Sequence, residues 1–272
     1  MIRATVYFLC IFVISSVTAS ATTLLDEGFD DMYNRSFTGA HRAFEGWEKL
    51  HPDDPEGPVF DAAAYLFSEF DRLRILQSQF FVDNHAYSQL EKQKAKPSPE
   101  IKQQFDGALA RGEKLATERL KTSPKDEGAL FSNVLRLGLH SNYLALIQKQ
   151  DLPALSEIKG STQLAEELIQ LHPSCYDAYI AIGIENYLLS LKPAPLRWLL
   201  QVGGAQVNKQ LGIEKLRLTA EKGHYLQPYA ELLLAVAALR DKNDSDARRY
   251  LTDLTKRFPD NELYRTELQK IP

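Results

Sequence analysis

The sequence is poor in cysteine, and neither sign of charge dominates it. Only two of its 272 residues are cysteines, and 32 basic residues stand against 36 acidic ones, a formal net charge of −4. This near balance argues against nucleic acid or anionic lipid as the main partner, because both attract strongly basic surfaces. Glycine and proline, at 14 and 13 residues, are too few for a fibrous or low-complexity chain. The apolar residues, 44% of the total, are enough for a sizeable core.

A short apolar run near the start predicts a secretory signal peptide. It covers residues 6–17, and Arg3 is the only charged residue ahead of it. Residues 19–21, Ala-Ser-Ala, follow it and match the pattern of a cleavage site. An uncleaved anchor is the alternative, but a run of 12 residues is shorter than the roughly 20 that span a bilayer. We therefore expect residues 1–21 to be removed, and residues 22–272 to form one domain without stable membrane insertion.

Cysteine usage fits an exported protein that is held together by packing alone. Cys10 lies inside the apolar run and leaves with it, so Cys175 is the only thiol of the mature chain. One thiol forms no internal disulfide. The short leader and the disulfide-free chain fit a bacterial protein, and we expect a periplasmic or extracellular location.

After residue 24 the apolar residues recur at the spacing of helices. Intervals of three and four separate them, which predicts helices that each carry one apolar stripe. The clearest segments are 62–81, 130–147, 164–171, 179–191, 226–239 and 250–258. No Asn-Gly or Asp-Gly pair joins two β-branched segments, and strict alternation is missing, so a sheet is not expected. Proline and glycine clusters between the segments predict an all-α fold of about eleven helices, packed as antiparallel hairpins.

Four prolines and the residues upstream of them form a repeat. In each copy a small residue is followed four positions later by an apolar residue, and eight positions after that by the proline. A small side chain lets the neighbouring helix approach, the apolar residue fills the gap beside it, and proline stops the helix. The copies begin at Ala40, Gly112, Ser161 and Ala247, and a fifth at Gly212 has His224 in place of the proline. Gly183 is the corresponding close-approach point that we predict on a partner helix.

This pattern resembles the tetratricopeptide repeat, whose helix pairs recur about every 34 residues with an A-x3-F…P signature. Residues 24–58 and 160–270 fit the pattern best, while residues 59–159 diverge from it. The helix stops lie 72, 49, 51 and 35 residues apart, so the copies are degenerate. The resemblance implies an α-solenoid, a right-handed superhelix in which each hairpin buries its apolar face against its neighbours. The short polar segment 261–271 would then cap the stack.

Motifs of catalysis and metal binding are missing. The sequence has no H-E-x-x-H, G-x-S-x-G, Walker A or G-x-G-x-x-G motif, and its six histidines are scattered. We therefore expect no metal, no other cofactor and no enzymatic activity. Cys175 sits at a predicted helix start, which would make it nucleophilic if its pKa were lowered, or else it is a half-buried structural residue. Glu185 with Glu166 or Glu167 would give a second enzymatic alternative, the carboxylate pair of a glycoside hydrolase.

Polar residues concentrate in two of the predicted helices. Arg136, His140 and Tyr143 are spaced to share one helix face. The candidate partner-binding residues are Asn133, Arg136, His140, Tyr143, Glu185 and Tyr187. They would line a groove that recognises a partner through hydrogen bonds. The alternative is an internal role, in which Arg136 and Glu185 form an ion pair while Asn142 and Asn186 bond to backbone at helix bends.

The predicted architecture favours a binding function. Stacked hairpins form an extended concave surface, so by analogy of fold we expect a scaffold or adaptor that binds a protein or peptide segment in its concave groove. One alternative is a cell-envelope enzyme acting on glycan or peptide. That alternative requires two carboxylates, or Cys175 with a histidine, in one open pocket. A second alternative is a structural component that assembles with copies of itself.

Overall fold

A computed structural model of the protein describes residues 23–75, 96–191 and 207–272. The predicted signal peptide and residues 76–81 of a predicted helix lie outside these ranges. The described residues form eleven α-helices and no strand, which confirms the all-α prediction. The helices are α1 (Leu24–Tyr33), α2 (Phe37–Leu50), α3 (Glu56–Arg72), α4 (Pro99–Thr122), α5 (Glu127–Asn142), α6 (Asp151–Leu171), α7 (Tyr179–Ser190), α8 (Lys209–Lys222), α9 (Gln227–Arg240), α10 (Asp244–Arg257) and α11 (Glu262–Gln269). A π-helical turn (Tyr143–Gln148) follows α5, and a 3₁₀ turn (Tyr176–Ala178) precedes α7.

The helix boundaries follow the local signals of the sequence. Side chains of Thr23, Ser98, Asp126, Asn208, Asn243 and Asn261 accept backbone N–H groups at the starts of six helices. In every copy of the repeat the helix ends two residues before the aligned proline, or before His224 in the fifth copy. Proline disfavours helical backbone in the residue before it, which explains four of these five stops. In none of the described ranges is a helix both long and apolar enough to cross a bilayer.

Consecutive helices pack as antiparallel hairpins, and the hairpins stack in series. In α5 and α6, the Ser161 hydroxyl donates to the carbonyl of Val134 at 2.8 Å near the middle of both helices. The His172 ring contacts the Lys125 carbonyl at 2.7 Å, where α6 ends and α5 begins. Each helix contacts the next along the chain, and the odd-numbered helices α1, α3, α5 and α7 also contact one another in order. This serial packing is that of a helical solenoid.

Glycine allows α7 and α8 to approach closely. A Cβ atom on Gly212 would lie 2.5 Å from the backbone nitrogen of Tyr187, and one on Gly183 would lie 3.0 Å from the backbone nitrogen of Leu216. Real side chains do not tolerate such distances from a rigid backbone. The two glycines therefore mark the contact between these helices from both sides, as the repeat pattern predicts.

Helix α1 touches the turns that precede α9 and α11, and we call this the closure contact. The Phe29 ring stacks on Tyr225, with centroids 4.9 Å apart. The Tyr33 hydroxyl donates to the Tyr225 carbonyl at 2.9 Å. The side-chain amide of Asn261 donates to the Tyr33 carbonyl at 2.7 Å. Residues near the start of the described chain thus pack against residues 192 to 228 positions later, and the solenoid closes on itself.

Closure fills the interior that an open solenoid would offer to a partner. Inner faces of α1, α3, α5, α7 and α9 surround a mostly apolar cavity of about 50 Å³. The Phe67 ring of α3 meets Tyr229 of α9 across it, with centroids 5.3 Å apart. The sequence predicts a single apolar stripe for residues 226–239, but buried residues lie on all sides of α9. A helix that is apolar all round is one that other elements surround.

Helix α11 ends the stack. Its Tyr264 side chain is buried, and its ring lies 6.3 Å from that of Phe258. The guanidinium of Arg248 on α10 donates to the Ile271 carbonyl at 2.9 Å and so ties down the chain end. The helix packs on α10 and keeps Glu262 and Arg265 exposed, while Glu267 is buried and pairs with Lys270 at 2.8 Å. The exposed polar side is what a capping helix requires.

Candidate functional site

Three of the six predicted binding residues lie on the outer face of α5. Asn133, Arg136 and His140 are on the side of this helix opposite the residues that line the central cavity. A guanidinium nitrogen of Arg136 lies 3.2 Å from Glu113 on α4. The imidazole Nδ1 of His140 lies 3.2 Å from Glu157 on α6. This half-exposed polar strip therefore links three consecutive helices on the outside of the solenoid.

The other three predicted binding residues are buried. Tyr143, Glu185 and Tyr187 are only 2%, 2% and 1% exposed. The Tyr143 ring stacks on Phe105 of α4, with centroids 5.1 Å apart. Burial raises the pKa of both tyrosines to about 12, so their hydroxyls stay protonated. The structure does not bring the six residues together on one accessible surface.

One part of the alternative internal role, the bonding of Asn186 to backbone, is present in the structure. The Asn186 amide donates to the Ile182 carbonyl at 3.0 Å, and its oxygen accepts the backbone N–H of Asn208 at 3.1 Å. Asn186 thus joins α7 to the start of α8. Asn142 lies where α5 widens into the π-helical turn, and it borders the central cavity.

Cys175 is a buried thiol rather than an activated one. Burial raises its pKa to about 12, and the nearby Glu127 carboxylate acts in the same direction. His172 is close, but its Nδ1 lies 3.2 Å from that same Glu127. A thiol with this pKa is almost entirely protonated at neutral pH and is a poor nucleophile. These contacts support the structural role of Cys175.

Glu56 has a strongly raised pKa. Burial, followed by the negative charges of Asp54 and Asp126, raises its pKa from 4.5 to about 7. It lies in the first turn of α3, on the edge of the solenoid. Because its folded-state pKa is higher than in the unfolded chain, its contribution to stability is complete below about pH 4.5 and is lost as the pH rises through 7.

We expect Glu56→Gln to stabilise the protein at pH 8 by about 2 kcal/mol and to change little at pH 4, because glutamine carries no charge to bury. Urea denaturation at both pH values measures the difference. Glu27→Gln is the matched control, since Glu27 lies exposed in the first turn of α1. An equal effect of Glu56→Gln at the two pH values would contradict the raised pKa.

The structure reveals an open cleft between α8, α9 and α10 that the sequence did not predict; we call it the α8–α10 cleft. Its volume is about 360 Å³. Its floor is apolar and consists of Ile213, Leu234, Ala237 and Ala238. Its charged lining residues are Lys209 and Arg217 on α8, and Asp241 and Asp246 across from them.

The two sides of the cleft carry opposite charge: the charged residues on α8, the basic wall, are Lys209 and Arg217, and those at the end of α9 and on α10, the acidic wall, are Asp241 and Asp246. The Lys209 ammonium pairs with Asp241 across one end. Arg217 is exposed and makes no ion pair within the described part of the chain. Asp246 accepts from the Asn243 amide at 2.8 Å and forms an exposed ion pair with Arg249 at 3.4 Å. The cleft thus has a basic wall, an acidic wall and an apolar floor. Local sequence signals do not reveal such a site, because its lining residues come from three separate helices.

The described residues hold no group of three or more histidine, cysteine, aspartate or glutamate side chains arranged to bind a metal ion. No family model, curated protein or solved structure matches the chain. The geometry of the protein itself is therefore the basis for assigning it a function.

Proposed function

We propose that the protein is an exported interaction scaffold that binds an extended segment of a partner protein in the α8–α10 cleft. The observation that carries the proposal is the composition of this cleft, an apolar floor between a basic and an acidic wall. Peptide sites typically pair an apolar pocket with a few polar groups that fix orientation. A fitting segment has an apolar side chain flanked by an acidic residue, facing Arg217, and a basic residue, facing Asp246.

The cleft is a better site for a partner than the concave side. There the inner faces of five helices leave a cavity of only about 50 Å³. A partner segment would have to separate the closure contact before it entered. The α8–α10 cleft is open without any such rearrangement and has about seven times that volume.

Export is supported by the sequence. A secretory leader has an apolar region followed by a cleavage site of small residues. The sequence has both, an apolar run at residues 6–17 and Ala-Ser-Ala at residues 19–21. We propose a periplasmic or extracellular location, where partner segments are other exported proteins. The raised pKa of the Cys175 thiol argues against nucleophilic catalysis by this residue.

Selection from a displayed random peptide library tests the proposal. We expect enriched peptides to share an apolar residue between an acidic and a basic one. Ala238→Trp, which fills the floor, should weaken binding of a synthesised enriched peptide at least tenfold in calorimetric titration. Arg217→Glu, at an exposed position, should reduce the preference for the acidic residue and leave the fold intact.

The matched control is Ala110→Trp, the same change at an exposed alanine of α4. It should leave the affinity of the peptide unchanged. Selection without a shared sequence pattern, or binding that Ala238→Trp does not weaken, would refute the proposed site.

A further inference from the structure

The central cavity is lined by uncharged residues. It lies among the inner faces of α1, α3, α5, α7 and α9, and the residues around it all belong to the described part of the chain. None of them is acidic or basic, and all are apolar apart from Tyr33, Asn142, Ser161 and Tyr229. A charged molecule inside would lose its hydration without gaining an opposite charge, so the cavity suits a neutral one.

Two of these four polar residues already have hydrogen-bond partners. The Ser161 hydroxyl donates to the Val134 carbonyl at 2.8 Å, and the Tyr33 hydroxyl donates to the Tyr225 carbonyl at 2.9 Å. Their donor groups are therefore satisfied within the protein.

Tyr229 and Asn142 have no such partners. Within the described ranges, neither the Tyr229 hydroxyl nor the Asn142 side-chain amide forms a hydrogen bond. Burial raises the pKa of Tyr229 to about 12, so its hydroxyl keeps its proton and can donate it. Polar groups in protein interiors are normally paired, and an unpaired one beside a cavity indicates water or a ligand there.

The cavity has room for more than one water molecule. Its volume of about 50 Å³ is several times the roughly 10–15 Å³ that one water molecule needs. It is about a third of the roughly 150 Å³ of an apolar cavity that binds benzene. A molecule of about four non-hydrogen atoms fits between these limits.

The surroundings of the cavity also point to a function. Asn142 is the last residue of α5 before the π-helical turn (Tyr143–Gln148), and π-helical turns occur frequently at functional sites. Phe29 and Tyr33 on one side of the closure contact, and Leu226 on the other, line the cavity as well. Its wall is therefore complete only when the solenoid is closed.

We infer that the central cavity is a binding site for a small neutral molecule, an alkyl group of about three carbon atoms that carries one hydroxyl. The alkyl group contacts the apolar walls, and the hydroxyl forms the hydrogen bond that Tyr229 or Asn142 lacks. Ligand sites typically combine apolar walls with a few polar groups in this way. The inference concerns the interior and is independent of a peptide in the α8–α10 cleft.

Titration of the isotope-labelled wild-type protein with 1-propanol, followed by NMR, tests the inference. We expect saturable shifts of residues around the cavity, with a Kd on the order of 1 mM, which is within reach of about four non-hydrogen atoms. Propionate is similar in size but carries a charge, and it should bind at least tenfold more weakly. Shifts that do not saturate, as expected if only water occupies the cavity, would overturn the inference.

The variant Gly138→Ala tests the place of binding. A Cβ atom there lies 3.6 Å from the Ser161 hydroxyl, an ordinary contact, so the variant should fold while its methyl group reduces the cavity. It should weaken propanol binding at least tenfold. The matched control is Gly107→Ala on α4, outside the cavity, where a Cβ atom meets only Arg111 at 3.9 Å. Equal affinity of the two variants would refute the cavity as the site.

Two further variants test the hydrogen bond to the ligand. Tyr229→Phe and Asn142→Leu each remove one unpaired polar group, and at least one of them should weaken propanol binding about three- to tenfold. Binding of xenon, which is apolar and also enters small cavities, should stay unchanged in that variant. If neither variant weakens propanol binding, or if xenon binding falls equally, the ligand hydroxyl has no partner in the cavity and the inference is wrong.

Discussion

Replacing Asp177 with alanine should lower the free energy of unfolding by about 4 kcal/mol, the largest effect we expect from a single polar residue. Its carboxylate accepts the backbone N–H groups of His224, Tyr225 and Leu226 at 2.9–3.1 Å. These groups precede α9, whose own N-cap residue offers no side-chain hydrogen bond. Without the carboxylate, three N–H groups in a largely buried site lose their acceptor.

Urea denaturation measures this loss. Asp177→Asn keeps one carbonyl oxygen in place and should retain part of the stability. Asp53→Ala is the control, because Asp53 is an exposed acid in the turn before α3, and this substitution should cost less than about 0.5 kcal/mol. Burial raises the pKa of Asp177, although the three N–H donors act in the opposite direction. If Asp177→Ala cost no more than Asp53→Ala, the cap would not be the anchor of α9.

Gly212→Val should destabilise the protein by about 3 kcal/mol, because the new side chain would begin 2.5 Å from the backbone of Tyr187. The helices α7 and α8 would have to move apart and leave the small-residue position of the repeat unpacked. Thermal and urea unfolding measure the change.

Gly107→Val is the matched control for this prediction. Gly107 is also a helical glycine, on α4, but a Cβ there would meet only the tip of the Arg111 side chain at 3.9 Å. Glycine and valine differ little in helix propensity, so this change should be close to neutral. Equal losses for the two variants would mean that chain flexibility, rather than contact with α7, explains the effect at Gly212.

The local part of the fold was predictable from the sequence because its causes are local. Polar capping residues such as Asp126 mark helix starts. Prolines such as Pro124 and Pro173 mark helix ends, which lie two residues before them. The positions of Gly183 and Gly212 were also predictable, since a small residue at a fixed distance before each stop marks where helices meet.

Closure and the candidate site were not predictable in the same way. Tyr33 and Asn261 touch although 228 positions separate them, and no pattern of short period encodes such a pair. The one local signal was the helix α9, which is apolar all round and so requires cover on every side. The sequence could not show that Arg136 and His140 form ion pairs with neighbouring helices, because polar residues at helical spacing suit a binding surface and such pairs equally well.

The closure contact changes how the protein is expected to unfold. An open array of hairpins frays from its ends, and a hairpin can be added or removed at modest cost because each one depends only on its neighbours. Here α1 packs against the turns before α9 and α11, so unfolding of either side of the closure contact removes packing from the other. Unfolding should therefore be all-or-none, and refolding should be slow because its decisive contact joins distant residues.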